Sequence, residues 1–233
     1  IMKLDLLLFF SLEMSSEQLS TRILSEQARI SSHEIRTGKA TEETLNRYIE
    51  ASRNIYDLPL YIDETPAIAI STLSNRARRI KRLFGLKLIV VDYIQLMRTN
   101  SNRMDGRVQE ISEITQGLKA LAKELNVPVV ALSQLSRAVE QRDDKIPQLS
   151  DLRESGSIEQ DADVVLFVYR EQYYLEKKEP KQGSIEHAEW QSKMSDIHGL
   201  ANLIVGKHRH GSTGTVHVEF EGMYTKFKDL PKN

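Results

Sequence analysis

Residues Leu86 to Arg98 read LKLIVVDYIQLMR, and this segment indicates an α/β protein. Its four apolar, mostly β-branched residues after Lys87 are typical of a strand buried on both faces of a largely parallel sheet. Asp92 ends the run. Such sheets bind ligands at the carboxyl ends of their strands, where a carboxylate can hold the Mg²⁺ of a nucleotide. The pattern fits a Walker B motif, and a buried strand ending in a turn-forming Asp is the alternative interpretation.

The rest of the chain alternates strand-like and helix-like segments. Leu4 to Phe10 predicts a first buried strand, and Ser15 to Gln18 (SSEQ) matches a capping box that begins a helix near Ser16. Apolar residues recurring at three and four positions predict a long amphipathic helix from Val108 to Leu125. Further helices are predicted over 31–39, 41–54 and 71–84, and further strands over 60–63, 127–133, 164–168, 200–206 and 215–220.

This order of elements predicts an α/β fold. We expect a mainly parallel sheet with helices on both faces and an antiparallel hairpin near the carboxyl terminus. The charged stretch 171–198, with its scattered aromatic residues, is interpreted as a surface excursion, and the polar stretch from Thr99 to Arg107 as a loop.

The composition excludes several classes of protein. The 233 residues are 40% apolar and 28% charged with a net charge of −1, so no overall positive field attracts nucleic acid. The chain has no cysteine, which excludes disulfides and thiolate metal sites and agrees with a reducing, cytoplasmic location. The apolar start IMKLDLLLFF is interrupted by Asp5 and is too short to span a bilayer.

Polar side chains follow three predicted strands at the point where each strand ends. Glu13 follows LLLFFSL, Asp92 follows LIVV and Gln134 follows VVALS. The carboxyl ends of parallel strands meet at one crevice, so we expect these side chains to surround a nucleotide. Tyr93 stands where many nucleotide-hydrolysing sheets have a Glu, which makes Glu13 the candidate base for the attacking water and Gln134 a candidate phosphate contact. A Glu beside a helix start and a satisfied polar residue at a strand end are the alternatives.

Two basic residues, Lys207 and Arg209, lie two positions apart beside the turn KHRHGSTG, so both side chains point to one face of a strand. Such a pair suits the charge that develops in phosphoryl transfer, which an Arg can stabilise from a neighbouring subunit. An exposed basic hairpin is the alternative. His208 and His210 have no clustered Asp, Glu or Cys partner in the sequence, and we assign no metal to them.

The segment from Ser150 to Asp163, SDLRESGSIEQDAD, has features of a nucleic-acid contact. Arg153 could bind a phosphate, and Gly156 permits close approach of the backbone to a single strand. The acidic residues of the segment argue against a simple electrostatic groove, so the residues alone leave its role open.

The sequence lacks a phosphate-cradling Walker A loop, G-x-x-x-x-G-K-[ST], whose N–H groups, Lys and hydroxyl bind the phosphates and Mg²⁺. Gly38 and Gly206 are the glycines followed by Lys, and neither Lys precedes Ser or Thr.

Five segments together resemble the bacterial replicative DNA helicases of the DnaB family. In order, they read FFSLEMSSEQL, LIVVDYIQLM, VVALSQLSRAVEQR, SDLRESGSIEQDADVV and GKHRHGSTGTV. That family has a RecA-like ATPase domain, assembles as a hexameric ring around single-stranded DNA and moves along it 5′ to 3′ ahead of the replication fork. The resemblance implies an ATP- and Mg²⁺-dependent helicase that binds single-stranded DNA, copies of itself, primase and a helicase loader, but no membrane.

The resemblance also implies roles for single residues. It makes Glu13 the catalytic carboxylate, Asp92 the Walker B acid that holds Mg²⁺ through the nucleotide, and Gln134 the γ-phosphate sensor. Two basic residues would act in trans on the neighbour's nucleotide, namely Lys207 and Arg209. The DNA-contacting loop of the family matches Arg153, Glu154 and Gly156.

The chain departs from the family in three respects. Residues 1–233 match a truncated RecA-like domain without the amino-terminal collar domain, and without the first strand of the core and its Walker A loop. Ile146 and Ser212 also stand where the family has Arg and Pro, which affects the local loops. We therefore expect the chain alone to bind ATP poorly unless an upstream fragment supplies the Walker A loop.

Two other functions compete with this interpretation. One is a noncatalytic remnant that keeps only a subunit-interface or DNA-binding surface. The other is a recombinase-like RecA relative, which would not be expected to contain the segments SLEMS and RESGSIEQDAD.

Overall fold

The computed structural model describes residues 5–37, 41–99 and 106–231, and the chain forms two compact units. The first unit comprises Ile1–Ser136 and Leu152–Ala162, and the second comprises Arg137–Asp151 and Asp163–Asn233. Three predicted features lie partly outside the described residues: the start of the first strand at Leu4, the end of the second helix at Lys39, and most of the loop from Thr99 to Arg107.

A parallel sheet of four strands forms the centre of the first unit, with the strand order β2-β1-β3-β4. The strands are β1 (Leu7–Ser11), β2 (Leu60–Asp63), β3 (Leu88–Asp92) and β4 (Val129–Ala131). Burial alternates along the central strands, since Leu8 and Phe10 of β1 and Ile89 and Val91 of β3 are completely buried. The predicted parallel sheet is confirmed, and the predicted β2 has the same bounds.

Helices cover this sheet and supply the rest of the core. They are α1 (Ser16–Ala28), α2 (Ser32–Thr37), α3 (Glu42–Tyr56), α4 (Ile70–Phe84), α5 (Arg107–Leu125) and α6 (Gly156–Asp161). The capping box at α1 is confirmed, because the Ser15 hydroxyl accepts from the Gln18 N–H and the Gln18 side chain accepts from the Ser15 N–H. The apolar residues of α4 and α5 pack against the sheet, among them Leu73, Ala77, Ile111 and Ile114.

The second unit is built around an antiparallel sheet with the strand order β5-β6-β7-β8. Its strands are β5 (Val164–Tyr169), β6 (Leu200–His208), β7 (Gly214–Glu221) and β8 (Lys226–Asp229), and its helices are α7 (Glu171–Glu176) and α8 (Ile185–Ile197). The predicted hairpin is confirmed as β6 and β7. The predicted α/β class is confirmed as well, although the antiparallel part is larger than expected because β5 and β8 extend the hairpin on both sides.

One interpretation of the sequence is incomplete, and another needs correction. The segment 171–198 is an exposed excursion, but it contains the helices α7 and α8, neither of which has a fully buried residue. The strand predicted over 127–133 is shorter and is not buried on both faces. It is the terminal strand of its sheet, and Val130 is 50% exposed.

Candidate active site

The carboxyl ends of β1, β3 and β4 lie side by side at one edge of the parallel sheet. Ser11 is in register with Asp92, and Val91 is in register with Ala131. The ladder continues past the strand ends, since the Leu12 N–H donates to the Asp92 carbonyl oxygen at 2.8 Å. Parallel α/β sheets bind ligands at this edge.

The three residues predicted from strand ends all belong to this edge. Glu13 follows β1 by two residues, Asp92 is the last residue of β3, and Gln134 follows β4 by three residues. Glu13 and Gln134 are exposed, whereas Asp92 is half-buried. The edge therefore has two accessible polar side chains and one carboxylate that is partly withdrawn from water.

The electrostatics of Asp92 fit a site for a cation. Burial raises the pKa of Asp92, the nearby Glu13 carboxylate raises it further, and Arg22 of α1 opposes the increase. Burial and Glu13 therefore make the ionised form of Asp92 less favourable than that of an ordinary Asp, and a bound cation would offset this penalty. Mg²⁺ in nucleotide sites uses one or two carboxylates together with the phosphates. The part of the chain that the structure describes has no cluster of three or more His, Cys, Asp or Glu residues that would hold a metal by itself.

A second carboxylate at this edge has a structural role. Asp63 ends β2, and Arg76 Nη1 of α4 donates to its two carboxylate oxygens at 2.8 and 2.6 Å. The Thr65 N–H donates to the same carboxylate at 3.1 Å. Burial raises the pKa of Asp63, but the hydrogen bonds from Arg76 and Thr65 outweigh this effect and lower it overall. Because its oxygens are engaged, Asp63 fixes the loop after β2 and is not a candidate base.

Lys207 and Arg209 belong to the second unit, at the end of β6. The antiparallel register pairs Lys207 with Val165, and the Arg209 N–H donates to the Asp163 carbonyl oxygen at 2.8 Å, which continues the ladder. Both side chains therefore lie on the sheet face of Val165, as the sequence predicted. Arg209 Nη1 also contacts Asp163 Oδ1 at 3.1 Å, in an ion pair that is about half exposed.

The predicted DNA-contacting loop adopts helical structure. Its first part is the 3-10 helix Leu149–Ser155, which contains Arg153 and Glu154, and α6 begins at Gly156. Gly156 is exposed, and a Cβ added to it would meet no atom within 4 Å.

Both ends of this loop are fixed by buried or partly buried polar contacts. Near its first end, Arg142 donates from both Nη atoms to the carboxylate of Asp151, which is only 5% exposed. Near its other end, the Thr115 hydroxyl of α5 donates to Asp161 Oδ2 at 2.6 Å. The first contact lies within the second unit, and the other lies within the first unit.

The comparisons with known proteins identify the family. Residues 2–229 match the DnaB-like helicase C terminal domain family. The chain belongs to this family. Replicative DNA helicase DnaB of Rickettsia typhi is 54% identical over 224 residues, which are 96% of this chain and 45% of the relative. The corresponding protein of Geobacillus stearothermophilus is 44% identical over 223 residues, again 96% of this chain and 45% of the relative. The chain thus spans less than half the length of these curated relatives.

Solved structures of helicase ATPase domains have the same fold. One of them, described as an ATPase domain, superposes with a TM-score of 0.84 at 34% identity, over 97% of this chain and 75% of that chain. A DnaB-like replicative helicase, solved in a study of its interactions with primase, also gives 0.84 at 34% identity, over 97% of this chain and 51% of that chain. The predicted RecA-like ATPase fold is therefore confirmed. In the described residues no helix is both long and apolar enough to cross a bilayer.

Sequence reasoning missed two residues at the edge. Arg22 of α1 acts to lower the pKa of Asp92. The side chain of Gln95 forms a hydrogen bond with the main chain of Gln134. Neither belongs to a motif that marks its contact. The available signals were indirect: α1 begins directly after the Glu13 turn, and Gln95 stands three residues after Asp92.

Proposed function

We propose that this chain forms most of the ATP-hydrolysing domain of a replicative DNA helicase. Hydrolysis would drive 5′ to 3′ movement along single-stranded DNA and unwinding of the duplex at the replication fork. The observation that supports this most strongly is the common sheet edge that brings Glu13, Asp92 and Gln134 together in a member of the DnaB-like family.

Each residue of the edge has a role that its environment suits. Glu13 is exposed, so its carboxylate can accept a proton from an attacking water. Gln134 is exposed at the neighbouring strand end, where its side-chain amide can donate to the terminal phosphate. Mg²⁺ bound with the nucleotide would neutralise phosphate charge, and Asp92 is the residue that would hold it.

The basic pair would act on the nucleotide of a neighbouring copy. Arg209 contacts Asp163 in an exposed ion pair, and exposed pairs contribute only about 0–1 kcal/mol. This ion pair therefore contributes little stability that a contact with a phosphate would have to offset. Lys207 lies on the same face of the sheet and would contribute a second positive charge to the same phosphates.

The proposed partners follow from the family and from the loop. Arg153, Glu154 and Gly156 would contact the backbone of single-stranded DNA, and the Thr115 contact with Asp161 fixes the end of the helix that begins at Gly156. A ring of six copies, a helicase loader and primase are further proposed partners, and the similar helicase that was studied with primase supports the last of these. The protein would act in the cytoplasm.

The missing Walker A loop determines how the chain would work. The 233 residues contain no G-x-x-x-x-G-K-[ST], so a polypeptide limited to them loses most charge-assisted contacts to the phosphates. We infer that it binds ATP weakly and needs a Walker A segment from an upstream part of the polypeptide or a separate fragment. If no such segment joins these residues, the second candidate function applies, a noncatalytic remnant that binds only subunits or DNA.

The experiment is an ATPase assay of the chain alone and of the chain joined to a Walker A segment from a relative. We expect little turnover by the chain alone and DNA-stimulated turnover by the combination. Glu13→Gln should lower turnover about 100-fold or more, since positioned bases contribute about 10²–10⁴-fold. Arg209→Ala should abolish stimulated turnover with nucleotide binding intact, whereas Arg53→Ala, an exposed control on α3, should not.

The possible outcomes separate the candidates. Turnover by the chain alone that Glu13→Gln abolishes would overturn the inferred weakness of ATP binding. The absence of turnover in every combination, with DNA binding retained, would establish the noncatalytic remnant. Stimulated turnover that Arg209→Ala leaves unchanged would refute the action in trans.

A further inference from the structure

The segment after β3 contains a polar side chain that the proposed hydrolysis does not use. Gln95 lies in the 3-10 helix Ile94–Leu96, three residues after Asp92, and is half-buried. Its side chain points toward the segment that follows β4 and contacts Ser133 and Gln134 there.

The side-chain amide of Gln95 bonds both polar groups of the Gln134 main chain. Gln95 Oε1 accepts from the Gln134 N–H at 3.2 Å, and Gln95 Nε2 donates to the Gln134 carbonyl oxygen at 3.3 Å. Nε2 also donates to the Ser133 hydroxyl oxygen at 2.8 Å. A primary amide offers a carbonyl acceptor and two N–H donors, so this side chain gives Gln134 the pairing that a neighbouring strand would give.

This contact extends the hydrogen bonding of the sheet edge to Gln134. Beyond β4, the Leu132 N–H donates to the Val91 carbonyl oxygen at 2.9 Å, and the Ile94 N–H donates to the Leu132 carbonyl oxygen at 3.0 Å. Two residues later, at Gln134, the Gln95 side chain provides the hydrogen bonds to the main chain. The main-chain carbonyl oxygen of Gln95 accepts from Arg107 Nη2 at the start of α5, so Gln95 is itself held in place.

We propose that Gln95 is the positioning residue for Gln134. Its amide fixes the main chain of Gln134, and the Gln134 side chain is thereby held over the sheet edge, where it reaches the terminal phosphate. Only this last step rests on the proposed function. The contact between the Gln95 amide and the Gln134 main chain stands on the described hydrogen bonds alone.

The first test measures that contact in the 233-residue chain without nucleotide. Gln95→Met keeps the length of the side chain and removes all three hydrogen bonds, whereas Gln95→Glu keeps the acceptor for the Gln134 N–H. We expect the Gln134 amide to exchange hydrogen on the order of fivefold faster in Gln95→Met, as for the loss of one hydrogen bond. Exchange in Gln95→Glu and in the control Gln109→Met, an exposed Gln of α5, should stay within about twofold of wild type. Equal exchange in wild type and Gln95→Met would overturn the proposal.

The second test is a double-mutant cycle between Gln95 and Gln134, measured in the chain joined to a Walker A segment, which is the form expected to hydrolyse ATP. Gln95→Met should lower kcat while the Kd for ADP, which lacks the terminal phosphate, stays unchanged. In a Gln134→Ala background Gln95→Met should cause no further loss, because residues that act through one another are not additive. Equal losses in both backgrounds, or weakened ADP binding, would show a merely structural role and refute positioning.

The two tests also separate this inference from the proposed function. Faster exchange in Gln95→Met, together with full hydrolysis by Gln134→Ala, would support the contact with the Gln134 main chain but reject Gln134 as the phosphate sensor. Unchanged exchange, together with loss of hydrolysis in Gln134→Ala, would reject Gln95 as the positioning residue and support the sensor.

Discussion

Replacing Gly206 by Ala should strain the end of β6 that presents the basic pair. Gly206 lies where the register between β5 and β6 shifts, and a Cβ on it would lie 2.6 Å from Cε2 and 3.1 Å from Cδ2 of the Phe167 ring. Phe167 is only 4% exposed, so the ring must move within a packed core to restore a contact of 3.4 Å.

The expected loss of stability follows from two opposing effects. Overpacking of this kind lowers the free energy of unfolding by about 1–3 kcal/mol. The reduced conformational freedom of the unfolded chain raises it by about 0.4–1 kcal/mol. We expect a net decrease of about 1–2 kcal/mol in the free energy of unfolding, which lowers the Tm by about 2–8 °C for a chain of this size. Urea titration and calorimetry measure both quantities.

Two further variants test the cause of the strain. Gly214→Ala in β7 is the matched control, because its Cβ would meet no atom within 4 Å, and its effect should stay within about 0.5 kcal/mol. Phe167→Leu removes the ring atoms that clash, so adding Gly206→Ala to it should cost less than adding Gly206→Ala to wild type. A Gly206→Ala variant as stable as wild type, or a Gly214→Ala variant equally destabilised, would show that the contact with Phe167 does not cause the loss of stability.

The remaining predictions concern charged groups. Arg76→Ala should lower the free energy of unfolding by about 1–2 kcal/mol. Burial raises the pKa of Asp63, but Arg76 outweighs burial and lowers it. The stabilities of wild type and variant should therefore converge as the pH falls below the ordinary pKa of 3.8. Asp92→Asn should stabilise the nucleotide-free chain at neutral pH, because burial raises the pKa of Asp92. The gain should shrink once the pH falls below that raised pKa and vanish below the ordinary value of 3.8, and denaturant titrations at several pH values check both predictions. Arg142→Ala should lower the free energy of unfolding by about 3 kcal/mol, since it leaves the buried Asp151 carboxylate with the Gln148 N–H but without its cation. Replacing both charges with apolar residues should restore much of the stability in thermal melts.

The parts of the fold that the sequence predicted depend on local signals. The capping box at Ser15, the apolar spacing of α5 and the short apolar run of β3 each determine an element from neighbouring residues. The edge that contains Glu13 and Asp92 followed from a general rule, because parallel strands bring their carboxyl ends together.

The parts that the sequence did not predict depend on contacts between distant segments. The contact between Gln95 and Gln134 joins residues 39 positions apart, and no spacing rule marks it. The helices α7 and α8 have no fully buried face, so no apolar period indicates them. The exposure of β4 follows from its terminal place in the strand order, which the local composition of Val129–Ala131 does not determine.

The most direct measurement is a structure of this chain, joined to a Walker A segment, with Mg²⁺, ADP and aluminium fluoride as a mimic of the transferred phosphate. We expect the fluoride at the carboxyl edge of β1, β3 and β4, with Glu13 beside the water, Asp92 on the Mg²⁺ side and the Gln134 amide against the fluoride. An aluminium fluoride group that lies out of reach of any one of these three side chains would contradict this arrangement.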